Sequence, residues 1–279
     1  MTQVGELIDN SISVLKNYPD ISNLDSSIPR RSVHEKNLLR ALVSETPNNG
    51  RVLFADLFCG MGDKFTSYIA EEKRGSKVMG FDGFGAYRPD GRLKDGSDEP
   101  GLLTNARMSA AQKKLSNLEL RCEYLREDSD LGINPLEFGT KIFTGFRTVC
   151  EEAAVAKLAN RYDASIIVNV PSRGELFGSR SDKFISNYMM SKGNDILSFV
   201  KDECARNDNE RPNNGVLKGD ILASDISKQI VLLDRAKFLE EKCYNVQVFG
   251  FVDAELGIRS PHSYNRLMYA FKKDNVLKL

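Results

Sequence analysis

Residues 51–63 have the sequence RVLFADLFCGMGD, and this stretch is the main basis for predicting the fold of the chain. It begins with an apolar run of strand length, residues 51–58, continues into a loop with two glycines, and is followed by a predicted helix at residues 64–72. Glycines let the backbone approach a ligand closely because they carry no side chain. In a parallel sheet, such a ligand lies beyond the carboxyl end of the strand.

The rest of the chain alternates short apolar runs with amphipathic segments. Further strands are predicted at residues 77–81, 118–125, 164–170, 216–222, 246–252 and 266–272, and further helices at residues 4–15, 32–43, 105–115, 148–160, 183–205 and 227–242. The last two strands are joined only by a loop, so they must run antiparallel. The pattern predicts an α/β fold with a mainly parallel seven-stranded sheet, a C-terminal antiparallel hairpin and helices on both faces.

The composition is that of an ordinary globular chain. The 279 residues, 41% of them hydrophobic, suit one main core, and we expect a helical extension at residues 1–30 and one domain at residues 31–279. Basic and acidic residues balance at 39 each, so a nucleic-acid partner would have to be bound by a local basic patch.

The cysteines and the apolar runs bear on the compartment. The five cysteines are scattered and never form a C-x-x-C pair, which argues against a zinc ribbon and against a disulfide framework. No apolar run reaches the roughly 18 to 20 residues that span a bilayer. We therefore expect a cytoplasmic protein that does not bind membranes.

The segment DLFCGMGD, residues 56–63, resembles the first motif of class I S-adenosyl-L-methionine (SAM)-dependent methyltransferases. The resemblance implies a Rossmann-like class I methyltransferase fold, with SAM as the cofactor. It also implies that Asp56 holds the methionine end of SAM and that Gly60 and Gly62 form the turn around it. Phe58 stands where many members have the first glycine, but the form D-L-F-C-G-x-G is similar to some DNA and RNA methyltransferases.

Asp82 is the second candidate cofactor residue. It follows the next predicted strand, twenty residues after Gly62, where a carboxylate can accept hydrogen bonds from both ribose hydroxyls of an adenosine. Binding of NAD or FAD is disfavoured because Phe65 replaces the third glycine of G-x-G-x-x-G, and because Asp63 would place negative charge where a pyrophosphate must lie. In the acidic loop after the third strand, the resemblance implies that Asp128 contacts the adenine amino group, unless that loop is simply solvated.

Two hypotheses describe the methyl acceptor. The segment NVPS, residues 169–172, ends the predicted fourth strand and is similar to the N-P-P-[YF] motif of amino methyltransferases, in which the asparagine orients a target amine. Val170 and Ser172 depart from that motif, and the alternative for Asn169 is an Asx turn at a strand end.

The second hypothesis concerns a ribose hydroxyl. Lys36 and Lys218, the latter on a predicted strand, resemble in position the lysines of FtsJ-type ribose 2'-O-methyltransferases, which use a Lys-Asp-Lys-Glu set, and residues 259–269 look like that family's last motif. Asn169 stands in place of the catalytic aspartate, and Leu267 or a neighbouring residue stands in place of the glutamate. The alternative for each lysine is a solvated side chain.

Other chemistries find less support in the sequence. Cytosine C5 methylation is disfavoured because no Pro-Cys dipeptide supplies the thiolate, and the only two histidines, His34 and His262, predict no metal site. His262 is a candidate general base, and residues 83–103 are a candidate lid.

Three functions follow from these patterns. The first is methyl transfer by SN2 displacement to an oxygen or nitrogen of RNA or another nucleic acid, with Asn169, Lys218 and Lys36 as candidate catalytic residues. The second is a small-molecule or protein methyltransferase. The third is a catalytically inactive SAM-fold subunit that binds a partner.

Overall fold

The strands of the chain form one mixed sheet. The computed structural model describes residues 3–16, 40–57, 59, 65–82, 113–121, 123, 125–148, 152–171, 184–209, 218–251 and 265–272. The strands are β1 (Val52–Leu57), β2 (Lys77–Phe81), β3 (Leu118–Arg121), β4 (Thr140–Thr148), β5 (Ile166–Pro171), β6 (Tyr244–Phe251) and β7 (Asn265–Lys272). Their order across the sheet is β3-β2-β1-β4-β5-β7-β6.

Helices lie on both sides of this sheet. They are α1 (Gln3–Lys16), α2 (residues 40–45), α3 (Phe65–Glu72), α4 (Glu152–Arg161), α5 (Asn187–Met190), α6 (Asn194–Asn209) and α7 (Lys218–Glu241), and a short 3-10 helix spans Pro135–Glu137. In the described part of the chain, none of these helices combines the length and apolar composition that crossing a bilayer requires.

The order and direction of the strands alone indicate where a ligand would bind. β1 to β5 are parallel, and β7 runs antiparallel between β5 and β6. The chain moves outward from β1 through β2 to β3, and then resumes on the other side of β1 with β4. The predicted α/β, Rossmann-like class I methyltransferase fold is confirmed, and its switch point lies at the carboxyl ends of β1 and β4, where open α/β sheets bind ligands.

Strand β4 was not predicted from the sequence, although it occupies the centre of the sheet. Ile142 and Phe143 are both fully buried, one on each face, so no alternation of polar and apolar residues marks the strand. Lys141, Gly145 and Arg147 also interrupt the apolar run. Because β4 exists, the strand that carries Asn169 is the fifth strand and not the fourth.

The strand predicted at residues 216–222 is wrong from residue 218 onward, because those residues begin the 24-residue helix α7. Residues 216 and 217 lie outside the described residues. A short apolar run does not by itself distinguish a strand from the start of a buried helix. The later part of α7 is buried over consecutive positions, Ile230 to Leu233, as expected for a helix that is enclosed on several sides.

Several predicted boundaries also change. The single helix predicted at residues 183–205 is divided into α5 and α6, and Gly193 between them has φ +87°, a conformation that glycine adopts readily. The third strand ends at Arg121 and not at residue 125. Residues 113–115 are not helical, and the remainder of the helix predicted at 105–115 lies outside the described residues. So do the domain boundary predicted at residue 30 and the loop at 83–103.

Each face of the sheet packs on its own apolar core. Helices α1, α4 and α7 cover one face, with Ile8, Leu158 and Leu232 fully buried beside Leu57 of β1. Helices α2 and α3 cover the other face, where Leu42 and Ile69 pack against Phe54. Helix α1 thus contributes to the same core as the central helix α7, and we refer below to the α1/α4/α7 face and the α2/α3 face.

A buried carboxylate fixes α5 to α7. Asp234 is fully buried and accepts hydrogen bonds from the backbone N–H groups of Ile185 and Ser186, both at 2.9 Å, and from the Ser186 hydroxyl at 2.6 Å. Arg235, which is also buried, pairs with it. The Ser186 and Arg235 donors are buried and need the carboxylate as their acceptor, because water does not replace it there.

We therefore expect Asp234→Ala to lower the free energy of unfolding by about 3 kcal/mol or more, since it leaves a buried cation and several buried donors unpaired. Urea denaturation of the purified chain measures the change. Ser198→Ala is the matched control, because Ser198 is exposed and its contact with Asp202 is long at 3.5 Å; its effect should stay within about 0.5 kcal/mol. Equal effects of the two substitutions would contradict the role given to Asp234.

Candidate functional site

Asp56 is a buried carboxylate that joins three elements at the switch point. It is the penultimate residue of β1 and only 3% exposed. Its Oδ2 accepts a hydrogen bond from Thr66 Oγ1 in α3 at 2.6 Å, and its Oδ1 accepts one from Thr144 Oγ1 in β4 at 2.9 Å. The carboxylate therefore connects the two segments that flank the glycine loop to the strand on the other side of β1.

The surroundings of Asp56 change its acidity. Burial raises the pKa of Asp56 to about 6, the hydroxyls of Thr66 and Thr144 oppose that rise, and the negative charge of Asp82 adds to it. At neutral pH the Asp56 carboxyl is mostly ionised. Because it is buried, this ionisation lowers the free energy of unfolding of the protein.

Asp82 lies beside Asp56 at the end of the next strand. Its backbone N–H donates to the carbonyl of Arg121 at 3.1 Å, so the pairing of β2 with β3 continues one residue past the end of β2. The residue is 8% exposed, and its charge acts on Asp56. The two carboxylates that the sequence placed in the cofactor site are thus brought to the same edge of the sheet.

Cys59 lies close enough to both carboxylates for their charges to act on its thiol. Its N–H donates to the carbonyl of Phe81 at 2.8 Å, and burial, together with the charges of Asp56 and Asp82, raises the pKa of its thiol well above the usual value. A Cβ added at Gly80 would lie 3.0 Å from the Cys59 sulfur and 2.7 Å from Leu120 Cδ2, so a larger residue there would require these side chains to shift. A thiol in this environment is packed and protonated, which does not suit a nucleophile.

Asn169 lies in β5 on the opposite face from Asp56. Its partners in register are Gly145 of β4 and Met268 of β7, whereas Asp56 is in register with Thr144. Since neighbouring positions on a strand point to opposite faces, the Asn169 side chain lies on the α1/α4/α7 face. It is 0% exposed, and neither its Oδ1 nor its Nδ2 has a hydrogen-bond partner in the described part of the chain.

Asp128 is not brought to Asp56 and Asp82. Its side chain is exposed, and its carbonyl accepts a hydrogen bond from Arg161 Nη1 at 2.9 Å. Arg161 is the last residue of α4, which returns the chain to the edge where β5 begins. At Asp128 the chain has already turned back from β3 toward the start of β4, and the contact between Asp128 and an adenine ring stays a prediction.

Lys218 is the first residue of α7 and not part of a strand. Helix α7 ends just before β6, which runs parallel to β5 because both are antiparallel to β7. Its first turn therefore points toward the carboxyl edge of the sheet, so the strand prediction is wrong while Lys218 remains on the side of Asp56 and Asp82. Lys36, Phe58, Gly60, Gly62 and His262 lie outside the described residues.

The sequence did not identify Thr66 or Thr144 as part of the site. A single threonine in a helix or a strand carries no distinctive pattern, and Thr144 is 88 positions from Asp56 along the chain. Only the register of β1 with β4, a strand that the sequence did not predict, brings Thr144 to Asp56. Glu123, which is half-buried and follows the carboxyl end of β3, was not singled out from the sequence either. Among the described residues, no group of three or more side chains is arranged to hold a metal ion.

Comparisons with known proteins agree with this architecture only in general terms. No protein-family model matches the sequence, and no curated protein sequence matches it significantly. Among solved structures, a SAM-dependent methyltransferase from Aquifex aeolicus is similar at 12% identity and TM-score 0.40, over 93% of this chain and 97% of its own. A precorrin-6y C5,15-methyltransferase from Geobacter metallireducens is similar at 10% identity and TM-score 0.39, over 92% of this chain and 100% of its own. Similarities at this level identify neither the reaction nor the substrate.

The raised pKa of Asp56 gives a dependence of stability on pH. The folded protein binds a proton on Asp56 up to about pH 6, whereas the unfolded chain releases it near pH 4, so ionisation of this group lowers the free energy of unfolding as pH rises from about 4 to about 6. Asp56→Asn removes the titrating group and, with it, this fall in the free energy of unfolding. The variant should therefore gain stability relative to the unsubstituted protein across this window, by about 2 to 3 kcal/mol in total.

Urea denaturation at half-unit pH steps measures this difference between the variant and the unsubstituted protein. Taking the difference also cancels the contributions of the other carboxyl groups that titrate in the same range. Ser198→Ala, which removes no titrating group, is the control, and we expect its difference from the unsubstituted protein to be constant with pH. A constant difference for Asp56→Asn would show that the carboxyl titrates as it does in the unfolded chain.

Proposed function

We propose that the protein is a SAM-dependent methyltransferase that transfers a methyl group by SN2 displacement to an oxygen or nitrogen acceptor. The observation that carries this proposal is the pair of buried carboxylates, Asp56 and Asp82, at the carboxyl ends of adjacent strands beside the switch point. In sequence, the two residues lie on either side of the glycine loop with Gly60 and Gly62.

This pair suits SAM better than a dinucleotide. Carboxylates accept hydrogen bonds from ribose hydroxyls and favour a cation, but they repel a pyrophosphate. In our proposal Asp82 binds the ribose, Gly60 and Gly62 form the turn around the methionine end, and Phe58 lies beside that turn. Asp56 supports the turn indirectly: its two oxygens accept hydrogen bonds from threonines of α3 and β4, which hold the segments on either side of the turn in place.

The adenine contact is assigned to a different residue from the one that the sequence suggested. Asp128 lies near the opposite edge of the sheet, beside Arg161. Glu123 follows β3 directly at the carboxyl edge, and an acceptor there matches the amino group of an adenine. We propose Glu123 for that contact.

The chain's own contribution to catalysis is alignment. When bound, SAM supplies the methyl group together with a good leaving group, so the protein has to orient the acceptor in line with the methyl carbon and to exclude water. A hydroxyl acceptor also requires a residue that takes its proton, whereas an amine acceptor needs its lone pair directed at the methyl group.

We propose a nitrogen of RNA or another nucleic acid as the first candidate acceptor. The Asn169 carboxamide supports it, because a fully buried amide without partners among the described residues costs free energy that a bound amine or ring nitrogen would offset. A ribose hydroxyl near Lys218 and Lys36 is the second candidate, supported by the direction of α7. The equal numbers of acidic and basic residues favour a small molecule or a protein instead.

We also propose that the protein is located in the cytoplasm. Cys243, which is exposed at the end of α7, would be open to oxidation outside a reducing compartment. A SAM-fold subunit without catalytic activity remains the alternative to an enzyme.

The general experiment uses tritiated SAM and fractionated cell extract. Label entering RNA or DNA supports the first candidate, and label entering protein or small molecules supports the alternative acceptors. Tight SAM binding without transfer to any fraction supports the inactive subunit. A steep fall of RNA binding with salt would separate a nucleic-acid enzyme from one that acts on a small molecule.

Asp82→Ala tests the cofactor site. We expect SAM affinity to fall by roughly 1.5 to 3 kcal/mol for each ribose hydrogen bond that the carboxylate makes, as measured by isothermal titration calorimetry. Asp128→Ala is the matched control and should leave the affinity unchanged. An Asp82→Ala protein that binds SAM as tightly as the unsubstituted chain would remove this residue from the site.

Asn169→Ala and Lys218→Ala separate the two acceptor candidates. If Asn169 orients a nitrogen acceptor, its substitution lowers methyl transfer by about 100-fold, leaves SAM affinity intact and costs little stability, since no hydrogen bond is lost from the described structure. If the acceptor is a ribose hydroxyl, Lys218→Ala abolishes transfer and again leaves SAM affinity intact. Initial rates with labelled SAM, compared with thermal unfolding of both variants, decide between them, and full activity in a variant excludes the corresponding candidate.

A further inference from the structure

The chain that leaves β3 is closed into a loop by a side chain from the last residue of that strand. Arg121 Nη1 donates a hydrogen bond to the carbonyl of Leu131, ten positions later, at 2.7 Å. The N–H of Leu131 donates to the hydroxyl of Tyr162, directly after α4, also at 2.7 Å. Both backbone polar groups of this fully buried residue thus have a side chain as partner. We call these two hydrogen bonds the Leu131 clasp.

The guanidinium of Arg121 has a fixed orientation. Its Nε donates to the Glu119 carboxylate at 2.6 Å, and Lys77 pairs with the same carboxylate. On the far side of the clasp, Gly132 has φ +59°, and a Cβ added there would lie 2.6 Å from Arg121 Nη1. The backbone therefore turns directly against the guanidinium, in a conformation that glycine adopts readily. Because a guanidinium is planar, hydrogen bonds from Nε and from Nη1 together determine where it lies.

Arg121 also connects the two residues that we assigned to the nucleoside of the cofactor. Its carbonyl accepts the N–H of Asp82 at 3.1 Å, and its guanidinium carbon lies 5.9 Å from the centre of the Phe81 ring, with which Arg121 is in register. Glu123 lies two positions after Arg121 and two before Leu125, which is fully buried. The end of β2 and the beginning of the loop with Glu123 are thus held at the same residue.

We propose that Arg121 and Tyr162 are positioning residues for the base of the cofactor, because the Leu131 clasp holds the loop that carries Glu123. This role rests on the proposed function, in which the Glu123 carboxylate binds the amino group of adenine. A carboxylate accepts a hydrogen bond from that amino group, but it repels the carbonyl oxygen that hypoxanthine has at the same position. Selectivity for the base is therefore the property that the clasp controls, and neither Arg121 nor Tyr162 has to contact the cofactor for this purpose.

A double-mutant cycle on the preference for the base tests this role. S-adenosylhomocysteine, which carries adenine, and S-inosylhomocysteine, which carries hypoxanthine, are titrated by calorimetry into the unsubstituted protein, Arg121→Met, Glu123→Ala and the double variant. We expect the unsubstituted protein to prefer the adenosyl compound by about 10-fold to 100-fold. Arg121→Met keeps an unbranched side chain but removes the donors, and it should lower this preference by about 5-fold. In the Glu123→Ala background, the same substitution should change the preference by less than about 2-fold.

Arg161→Met is the matched control. Arg161 also binds this loop, but its Nη1 donates to the carbonyls of Asp128 and Ser129, at 2.9 and 3.2 Å, and the residue is exposed. We expect the preference for the adenosyl compound to be unchanged in this variant. An equal fall in Arg161→Met and Arg121→Met would show that any loosening of the loop alters the preference, and it would contradict a specific role for the Leu131 clasp.

The remaining outcomes distinguish the role of the clasp from the proposed function. If Arg121→Met lowers the preference equally in both backgrounds, or leaves it unchanged, the clasp does not act through Glu123, although SAM binding stands. Equal affinity of the unsubstituted protein for both compounds would overturn the role of the clasp as well. If SAM and both compounds fail to bind, the proposed function itself is wrong. Should Arg121→Met not fold, Tyr162→Phe replaces it in the cycle, because it removes the hydroxyl that accepts the Leu131 N–H and keeps the ring.

Discussion

The site depends on one interaction, the pair of hydrogen bonds that Asp56 accepts from Thr66 and Thr144. Three segments far apart in the chain meet at this carboxylate: the end of β1, the first turn of α3 and the middle of β4. Without water around it, the carboxylate requires these donors, and the buried hydroxyls require an acceptor. The mutual requirement fixes the position of α3 relative to the sheet.

The topology of the sheet determines what this interaction can serve. Reversal of the strand order at β1 opens a crevice between the chain that leads to β2 and the chain that leads to β4. Asp56 lies under the crevice on the α2/α3 face, and Asn169 lies on the α1/α4/α7 face of the neighbouring half. Asp56 and Asn169 are thus supported by different cores, and their partners in register, Thr144 and Gly145, are adjacent in β4.

The sequence predicted the parts of the fold that local patterns determine. β1, β2, α3 and the final hairpin were expected within one or two residues, because each has a distinct apolar run or a turn beside it. β4 was not expected, because a strand buried on both faces lacks alternation, and the start of α7 was taken for a strand. The same limit applied to the site: Asp56 and Asp82 follow from spacing along the chain, whereas Thr144 and the placement of Asp128 depend on contacts between distant segments.

The hydrogen bond between Cys59 and Phe81 limits how the segment between β1 and α3 can change in evolution. Pairing with β2 continues through Cys59, and α3 begins at Phe65, so only residues 60–64 connect two fixed ends. Five residues must span the fixed distance between these two ends, so deleting one of them would strain the connection or pull Thr66 away from Asp56. Homologous sequences should therefore tolerate exchange of residue type within this segment far more readily than a deletion.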